Sequence, residues 1–298
     1  MNRRFRGGIV SLAMLALAAC QREMPLVEWV MVAVSQETNR TADAHFLTMA
    51  DGRRVLVDAA TSAQAKASLI PFLKQRGVRA IDLLVITHAH PNHYGGIHAL
   101  LDAGIMVRSA TVSMPAEQAC RDEGYCNWDD FSKALERLRS AGATVEPARA
   151  GGELVSGPVR LSVLYAYDGI DTPVGRTDIN DTTAITGLQA GRWSVLFTGD
   201  VNVKIGSYLA RQGEGLKADF MTLPHHGTES AAPDSFFDRV NPRAAFVSGP
   251  AELWRSERSA RMRRYFESRG VPVYVSGEHG HVTVRLYAGR YEILTEKG

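Results

Sequence analysis

The chain of 298 residues is short of cysteine, of net charge and of long apolar runs. Its three cysteines, Cys20, Cys120 and Cys126, are too few for a small domain held together by disulfides. No two of them have the C-x-x-C spacing of a zinc knuckle. The formal net charge of +2 excludes a strongly one-signed surface, and so neither marks a nucleic-acid binder nor rules one out. Past the first twenty residues no segment is apolar for twenty residues, which leaves no candidate for a membrane-spanning helix there. No low-complexity stretch or linker divides the rest. What remains is ordinary globular material, 45% hydrophobic and 22% charged, with enough length for a sizeable core.

The N-terminus is a different material. Arg3, Arg4 and Arg6 precede an apolar run over 9–19 that is too short to span a bilayer. It closes on Leu17-Ala18-Ala19-Cys20, which resembles a bacterial lipobox. The expectation is a lipoprotein signal peptide over 1–19 and a single domain over 20–298. Cys20 then anchors the chain to a membrane, facing the periplasm. Gln21 in place of Asp points to the outer membrane. An ordinary secretory signal with a chance cysteine is the alternative. Outside the cytoplasm, Cys120 and Cys126 are close enough to form a disulfide around a polar loop; two free thiols or a soft-metal pair are the other readings.

Strands are expected at 27–34, 54–58, 83–87, 161–165, 218–223, 244–247 and 271–275. Hairpins are expected at 183–198 and 281–294. Helices are expected at 71–76, where Pro71 suits a first turn, and at 96–103, 128–140, 234–240 and 257–268. Phe131, Leu135 and Leu138 give 128–140 a clear apolar face. The stretch 168–181, rich in Asp, Gly, Thr and Pro, reads as a loop. Two β-rich halves with interspersed helices imply two packed sheets covered by helices.

Chemistry concentrates at strand ends. His88, His90 and His93 follow one apolar strand, and neutral imidazole suits zinc and its neighbours. The i, i+2 spacing turns His88 and His90 to one side of an extended segment. Asp200 ends the strand Leu196-Phe197-Thr198, and His225-His226 follow a third strand. Three strand ends all offering His or Asp make a metal site a better reading than scattered polar loops.

These residues resemble the metallo-β-lactamase superfamily. His88-Ala89-His90-Pro91-Asn92-His93 is similar to its HxHxDH loop. Asp58 matches a first-motif Asp that supports the site, Asp200 a bridging carboxylate, and His225-His226-Gly227 the late histidine motif. Within the superfamily, the order and spacing of Asn180-Asp181-Thr182-Thr183, Thr198-Gly199-Asp200 and Pro224-His225-His226-Gly227 resemble the hydrolase domain of ComEC-type DNA-uptake proteins. The resemblance implies an α+β, αββα sandwich of two mixed sheets flanked by helices. It also implies one or two metal ions, zinc with manganese as the alternative. The expected assignment places His88, His90 and Asp200 around the first ion and His93, Asp200 and His225 around the second. His226 contacts substrate. Asn92 orients water, and Asp181 either ligates or shapes its loop.

Three departures matter. Asn92 stands where the family has an Asp, and a neutral amide is a poor cation ligand, so the second ion should bind more weakly. The early Asp-Val-Gly-Gln-Gly-Asp motif is replaced by the stretch from Ala33 to Thr38. The later Tyr-Gly-His-Pro is replaced by the stretch around Trp254-Arg255-Ser256-Glu257, with His279 or His281 as substitutes or plain turn residues. The expected function is metal-assisted hydrolysis of a phosphodiester, DNA included. Arg258, Arg261, Arg263, Arg264 and Arg269 offer one basic helix toward phosphates. Two alternatives stand: hydrolysis of a lactam, lactone or thioester on the same fold, and an inactive metal-binding lipoprotein.

Overall fold

The computed structural model describes residues 23–35, 40–168, 178–212 and 215–298; the expected signal peptide over 1–19 and Cys20 lie outside them. Fifteen strands form two sheets among these residues. They are β1 (Val27–Met31), β2 (His45–Met49), β3 (Arg54–Val57), β4 (Ala80–Ile86), β5 (Met106–Val112), β6 (Thr144–Pro147), β7 (Glu153–Ser156), β8 (Val159–Tyr165), β9 (Ile185–Ala190), β10 (Trp193–Phe197), β11 (Phe220–Thr222), β12 (Ala244–Val247), β13 (Val273–Val275), β14 (Val282–Leu286) and β15 (Tyr291–Thr295). One sheet runs β15-β14-β1-β2-β3-β4-β5-β6 and the other β13-β12-β11-β10-β9-β8-β7. The closing hairpin therefore joins the N-terminal sheet, through β1 paired antiparallel with β14.

Alternation along each strand explains the layering. On β1, Trp29 and Met31 point between the sheets and Val30 points outward, and all three are buried. The inner layer is aromatic: the Trp29 ring stands edge-on to Phe197 and Phe246 of the other sheet, with centroids 5.2 and 4.6 Å away. The outer face of the first sheet packs Phe46, Leu56 and Leu84 against helices that bring Leu73, Leu100 and Phe131. The outer face of the second packs Leu196, Met221 and Val247 against Ile205, Phe237 and Phe266. Helix, sheet, sheet, helix is the αββα sandwich, and burial on both faces explains why the strands read as nearly continuous apolar runs.

The helix at 71–76 proves to be the end of a longer one. It starts at Ser62, where Thr61 Oγ1 accepts from Gln64 N, and widens into a π turn at Ala65–Leu69 before Ile70–Gln75. Pro71 lies inside it rather than at its start; the wide turn accommodates the missing N–H and the ring. Similarly, 257–268 divides into a 3-10 turn at Glu257–Ser259 and an α-helix at Ala260–Ser268. The expected loop at 168–181 falls partly outside the described residues, and its end is a 3-10 turn, Ile179–Thr182.

The disposition of parallel strands places the site. β3, β4 and β5 are parallel neighbours, as are β10, β11 and β12. Their carboxyl ends carry Asp58, the Thr87–His93 loop, Asp200, His225-His226 and Ser248, so the loops with polar chemistry share one edge of the sandwich.

Candidate metal centre

Backbone strain marks this edge. Five described non-glycine residues have left-handed φ, and four of them are Asp58, Ala60, His225 and His226. His225 (φ 50°, ψ 43°) and His226 (φ 54°, ψ 25°) are consecutive. Such positions cost on the order of 1–2 kcal/mol each and persist where surrounding structure over-determines them. Gly199 (φ 48°) bends the end of β10 against β4: a Cβ there would lie 2.5 Å from Thr183 Cγ2 and 3.0 Å from Thr87 Cβ.

Asp200 is the centre of the cluster. Its Oδ2 lies 3.4 Å from His93 Nε2, 3.5 Å from His226 Nε2 and 3.9 Å from His88 Nε2. His88 Nε2 in turn lies 3.1 Å from His90 Nδ1. All five side chains are buried. Three imidazole nitrogens, of His88, His93 and His226, thus converge on one carboxylate, and His90 joins them through its contact with His88.

Hydrogen bonds behind the rings fix which nitrogen faces inward. Asp58 accepts from Thr87 N (2.8 Å), Thr87 Oγ1 (2.7 Å) and His93 Nδ1 (2.8 Å). With its proton given to Asp58, Thr87 Oγ1 accepts from His88 Nδ1 at 3.1 Å. His226 Nδ1 donates to the Ser248 carbonyl at 3.0 Å. Each of these rings therefore keeps a proton on Nδ1 and turns Nε2 toward Asp200, the disposition that metal-ligating histidines adopt. His90 is the mirror case: Nε2 donates to Glu123 Oε2 at 2.7 Å, leaving Nδ1 toward His88.

Electrostatics follow from this packing. Burial opposes charge on Asp200, but His226 and His93 outweigh it and hold the carboxyl well below its usual pKa. Burial likewise opposes charge on His93, yet Asp200 and Asp58 push its pKa well above the usual value. Burial, reinforced by neighbouring His93 and His90, drives His88 well down. Two buried atoms that face the cluster, His93 Nε2 and Asp200 Oδ1, have no hydrogen-bond partner. Buried polar atoms without partners are rare, and here they line the space between nitrogen and oxygen donors that suit a borderline divalent cation. The donor set fits a metal.

Asp43, His93, Asp200 and His226 offer ligand atoms that all lie within 4.8 Å of one another. Asp43 went unnoticed in the sequence; its one signal is an acidic residue between Ala42 and Ala44, just ahead of β2. Its Oδ2 lies 3.8 Å from the Nδ1 atoms of both His93 and His226, the edges turned away from Asp200. Asp43 therefore reads as a countercharge behind the two rings. Glu123 was also passed over, since nothing in one dimension links it to His90.

The remaining candidates are placed as follows. His226, rather than His225, enters the group around Asp200. The His225 ring is centred 6.4 Å from that of His226, and its buried Nδ1 has no partner. Asn92 Nδ2 donates to His226 Nε2 at 3.1 Å. Asp181 stands apart from the group, its carboxylate taking backbone N–H groups of Asn202 and Ile205 at the start of the helix Val203–Gln212; burial and Asp178 push its pKa up to about 7. His281 accepts from Ala33 N, and His279 bonds to the backbone of Val275. The buried ring of Trp254 lies against Gly227. Arg258, Arg261 and Arg269 pair with Glu229, Asp234 and Asp238, and Arg263 donates to backbone carbonyls, so most of the basic helix is engaged within the chain.

Comparison with known proteins matches residues 39–113 to the model of the metallo-beta-lactamase superfamily. ComE operon protein 3 of Bacillus subtilis (strain 168) is 24% identical over 180 residues, which cover 60% of this chain and 21% of that protein. Competence protein ComA of Neisseria gonorrhoeae is 26% identical over 206 residues, covering 66% of this chain and 24% of that protein. The matched region thus spans less than a quarter of the length of these relatives. Among solved structures, the metallo-beta-lactamase fold protein YhfI from Bacillus subtilis superposes with a TM-score of 0.53 at 13% identity, covering 90% of this chain and 99% of that one.

Proposed function

The chain belongs to the metallo-beta-lactamase superfamily, and from that premise we propose that it is a metal-dependent phosphodiesterase, DNA among its substrates, anchored through a lipidated Cys20 and facing the periplasm. The observation that carries the hydrolase reading is the convergence of the His88, His93 and His226 Nε2 atoms on Asp200 Oδ2, with His90 Nδ1 against His88 and with His93 Nε2 and Asp200 Oδ1 buried without hydrogen-bond partners. The phosphodiester reading leans on similarity to the two competence-related proteins. The anchor rests on the sequence pattern at Cys20.

His88, His90 and Asp200 would hold a first ion, and His93, Asp200 and His226 a second, with zinc or manganese suited to these donors. A divalent cation bound there supplies Lewis acidity and lowers the pKa of a coordinated water. The chain's own groups do the rest. Asp58 and the Ser248 carbonyl hold three rings in one tautomer. Asn92 and Tyr125, whose Oδ1 and hydroxyl lie 3.5 Å apart, stand beside His90 and His226 as neutral hydrogen-bonding groups for a phosphate oxygen. Asn92 orients but cannot take a proton. His225 stands next to His226 with its Nδ1 unpartnered, placed for a leaving group.

One observation favours the second reading, a weak or inactive metal-binding protein: Asn92 donates to the His226 lone pair that the second ion needs. The test is turnover of bis-p-nitrophenyl phosphate, single-stranded DNA, nitrocefin and a lactone by zinc- or manganese-loaded protein and by Asp200→Ala. Phosphodiester cleavage lost in Asp200→Ala is the expected result. Cleavage of nitrocefin or the lactone alone would move the substrate class, and no turnover with metal bound would favour the binding protein.

A further inference from the structure

Cys120 and Cys126 form a disulfide, with Cα atoms 5.1 Å apart. It closes the end of the helix Glu117–Glu123, which terminates at Gly124 in a left-handed conformation. Both cysteines are buried, whereas much of the loop between them is exposed. What this small loop touches is the metal-site segment. Glu123 Oε2 accepts from His90 Nε2 at 2.7 Å, and its Oε1 accepts from the backbone N–H of Ile179 at 3.2 Å. The Tyr125 ring stands edge-on to the His90 ring, with centroids 4.9 Å apart. Cys126 Sγ lies 3.2 Å from the carbonyl oxygen of Ala89, the residue between the two histidines.

We propose that Glu123 is a positioning residue for the first metal position and that the Cys120–Cys126 bond keeps it there. A histidine that binds through Nδ1 must carry its proton on Nε2. A carboxylate at 2.7 Å from Nε2 enforces that tautomer and fixes the ring rotation that turns Nδ1 toward His88 Nε2. Glu123 has one carboxylate oxygen on His90 and the other on Ile179, so it ties the ring to the backbone of the Ile179–Thr182 turn. As the last residue of a short helix it would fray away from this position without a covalent closure one turn back and three residues on. The disulfide thus couples the redox state of the loop to metal affinity. The inference rests on the two-position metal reading above.

The experiment is a calorimetric titration of metal-stripped protein with Co²⁺, followed also by the visible Co²⁺ spectrum, in wild type, Glu123→Ala, Glu123→Gln and the double variant Cys120→Ser/Cys126→Ser. Melting temperature verifies folding in each. Expected is a loss of about 10- to 100-fold in affinity at one position in Glu123→Ala, with an altered spectrum. Glu123→Gln, which keeps an acceptor oxygen, should lose less. The double cysteine variant should reproduce most of the Glu123→Ala loss, and combining it with Glu123→Ala should add little further. Wild-type affinity in folded Glu123→Ala overturns the positioning role. Wild-type affinity in the folded cysteine variant overturns the role of the disulfide. Should wild type itself bind no Co²⁺, the failure lies in the metal-site reading; should it bind as Glu123→Ala does, only this inference fails.

Discussion

Replacing Asp58 with Asn tests the hydrogen-bond scaffold behind the histidines. Asn tolerates the left-handed backbone at this position, where φ is 58°, and has almost the same shape. It cannot do the same work. The carboxylate receives three hydrogen bonds, from Thr87 N, Thr87 Oγ1 and His93 Nδ1. Either orientation of the amide sets its NH₂ against at least one of these buried donors. An unmet buried donor costs about 1–3 kcal/mol. Relief of a buried charge offsets part of that in the metal-free protein, since burial, working against the attraction of His93, holds the Asp58 pKa above its usual value. Metal binding gains no such relief, because it requires His93 and His88 to keep their protons on Nδ1. The affinity loss should therefore be about 10- to 100-fold, equivalent to about 1.4–2.8 kcal/mol. Competitive Zn²⁺ titration against a chelator measures it, with circular dichroism melting as the check on folding. A folded Asp58→Asn protein that binds Zn²⁺ within about twofold of wild type would refute the claim that Asp58 sets these tautomers.

Other expectations follow from the same geometry. Asn92→Asp replaces the amide that donates to His226 with an anionic ligand, and should raise metal content by up to one ion per chain on native purification; an unchanged ratio would separate Asn92 from the second position. Glu28 is bonded to Arg76 at 2.6 Å and Arg285 at 2.8 Å; burial opposes its charge, but the two guanidinium groups hold its pKa below the usual 4.5. Its stabilising contribution, at most about 1 kcal/mol given partial exposure, is complete above that value and lost as pH falls through the lowered pKa. The melting-temperature gap between wild type and Glu28→Gln should accordingly close on acidification, and a widening gap would contradict the sign. In Gly96→Ala the new Cβ would lie 1.8 Å from the Ala59 carbonyl oxygen beside the Asp58 loop, so urea midpoints should report a loss of at least about 1–3 kcal/mol.

Much of this architecture is legible in one dimension, because both sheets are buried on two faces and their strands stand out as apolar runs. The helices Trp128–Ser140 and Asp234–Val240 and the strand Ala244–Val247 have the bounds that periodicity predicts. Elements with mixed patterns do not stand out. β5 carries exposed Met106 and Arg108 on the same face as buried Ala110, and β2 begins with a histidine. The helix Val203–Gln212 contains Gly206, which there serves close packing: a Cβ would meet Ala232 Cβ at 2.6 Å.

At the site, clustered histidines and a strand-terminal Asp are visible as motifs, but the choice between adjacent His225 and His226 is not. Three consecutive left-handed residues turn one ring toward Asp200, and a run of φ values leaves no trace in composition. Asp43 reaches the histidines from the segment ahead of β2 and Glu123 from the end of the helix Glu117–Glu123, so only the folded chain reveals them.

Metal content of natively purified protein, determined beside that of Asp200→Ala, tests the central claim most directly. Asp200 Oδ2 is the atom on which His88, His93 and His226 converge, so the account predicts at least about one divalent ion per chain in wild type and a large loss in the variant. Wild-type protein isolated essentially without metal, or an Asp200→Ala protein that retains the full complement, would contradict it.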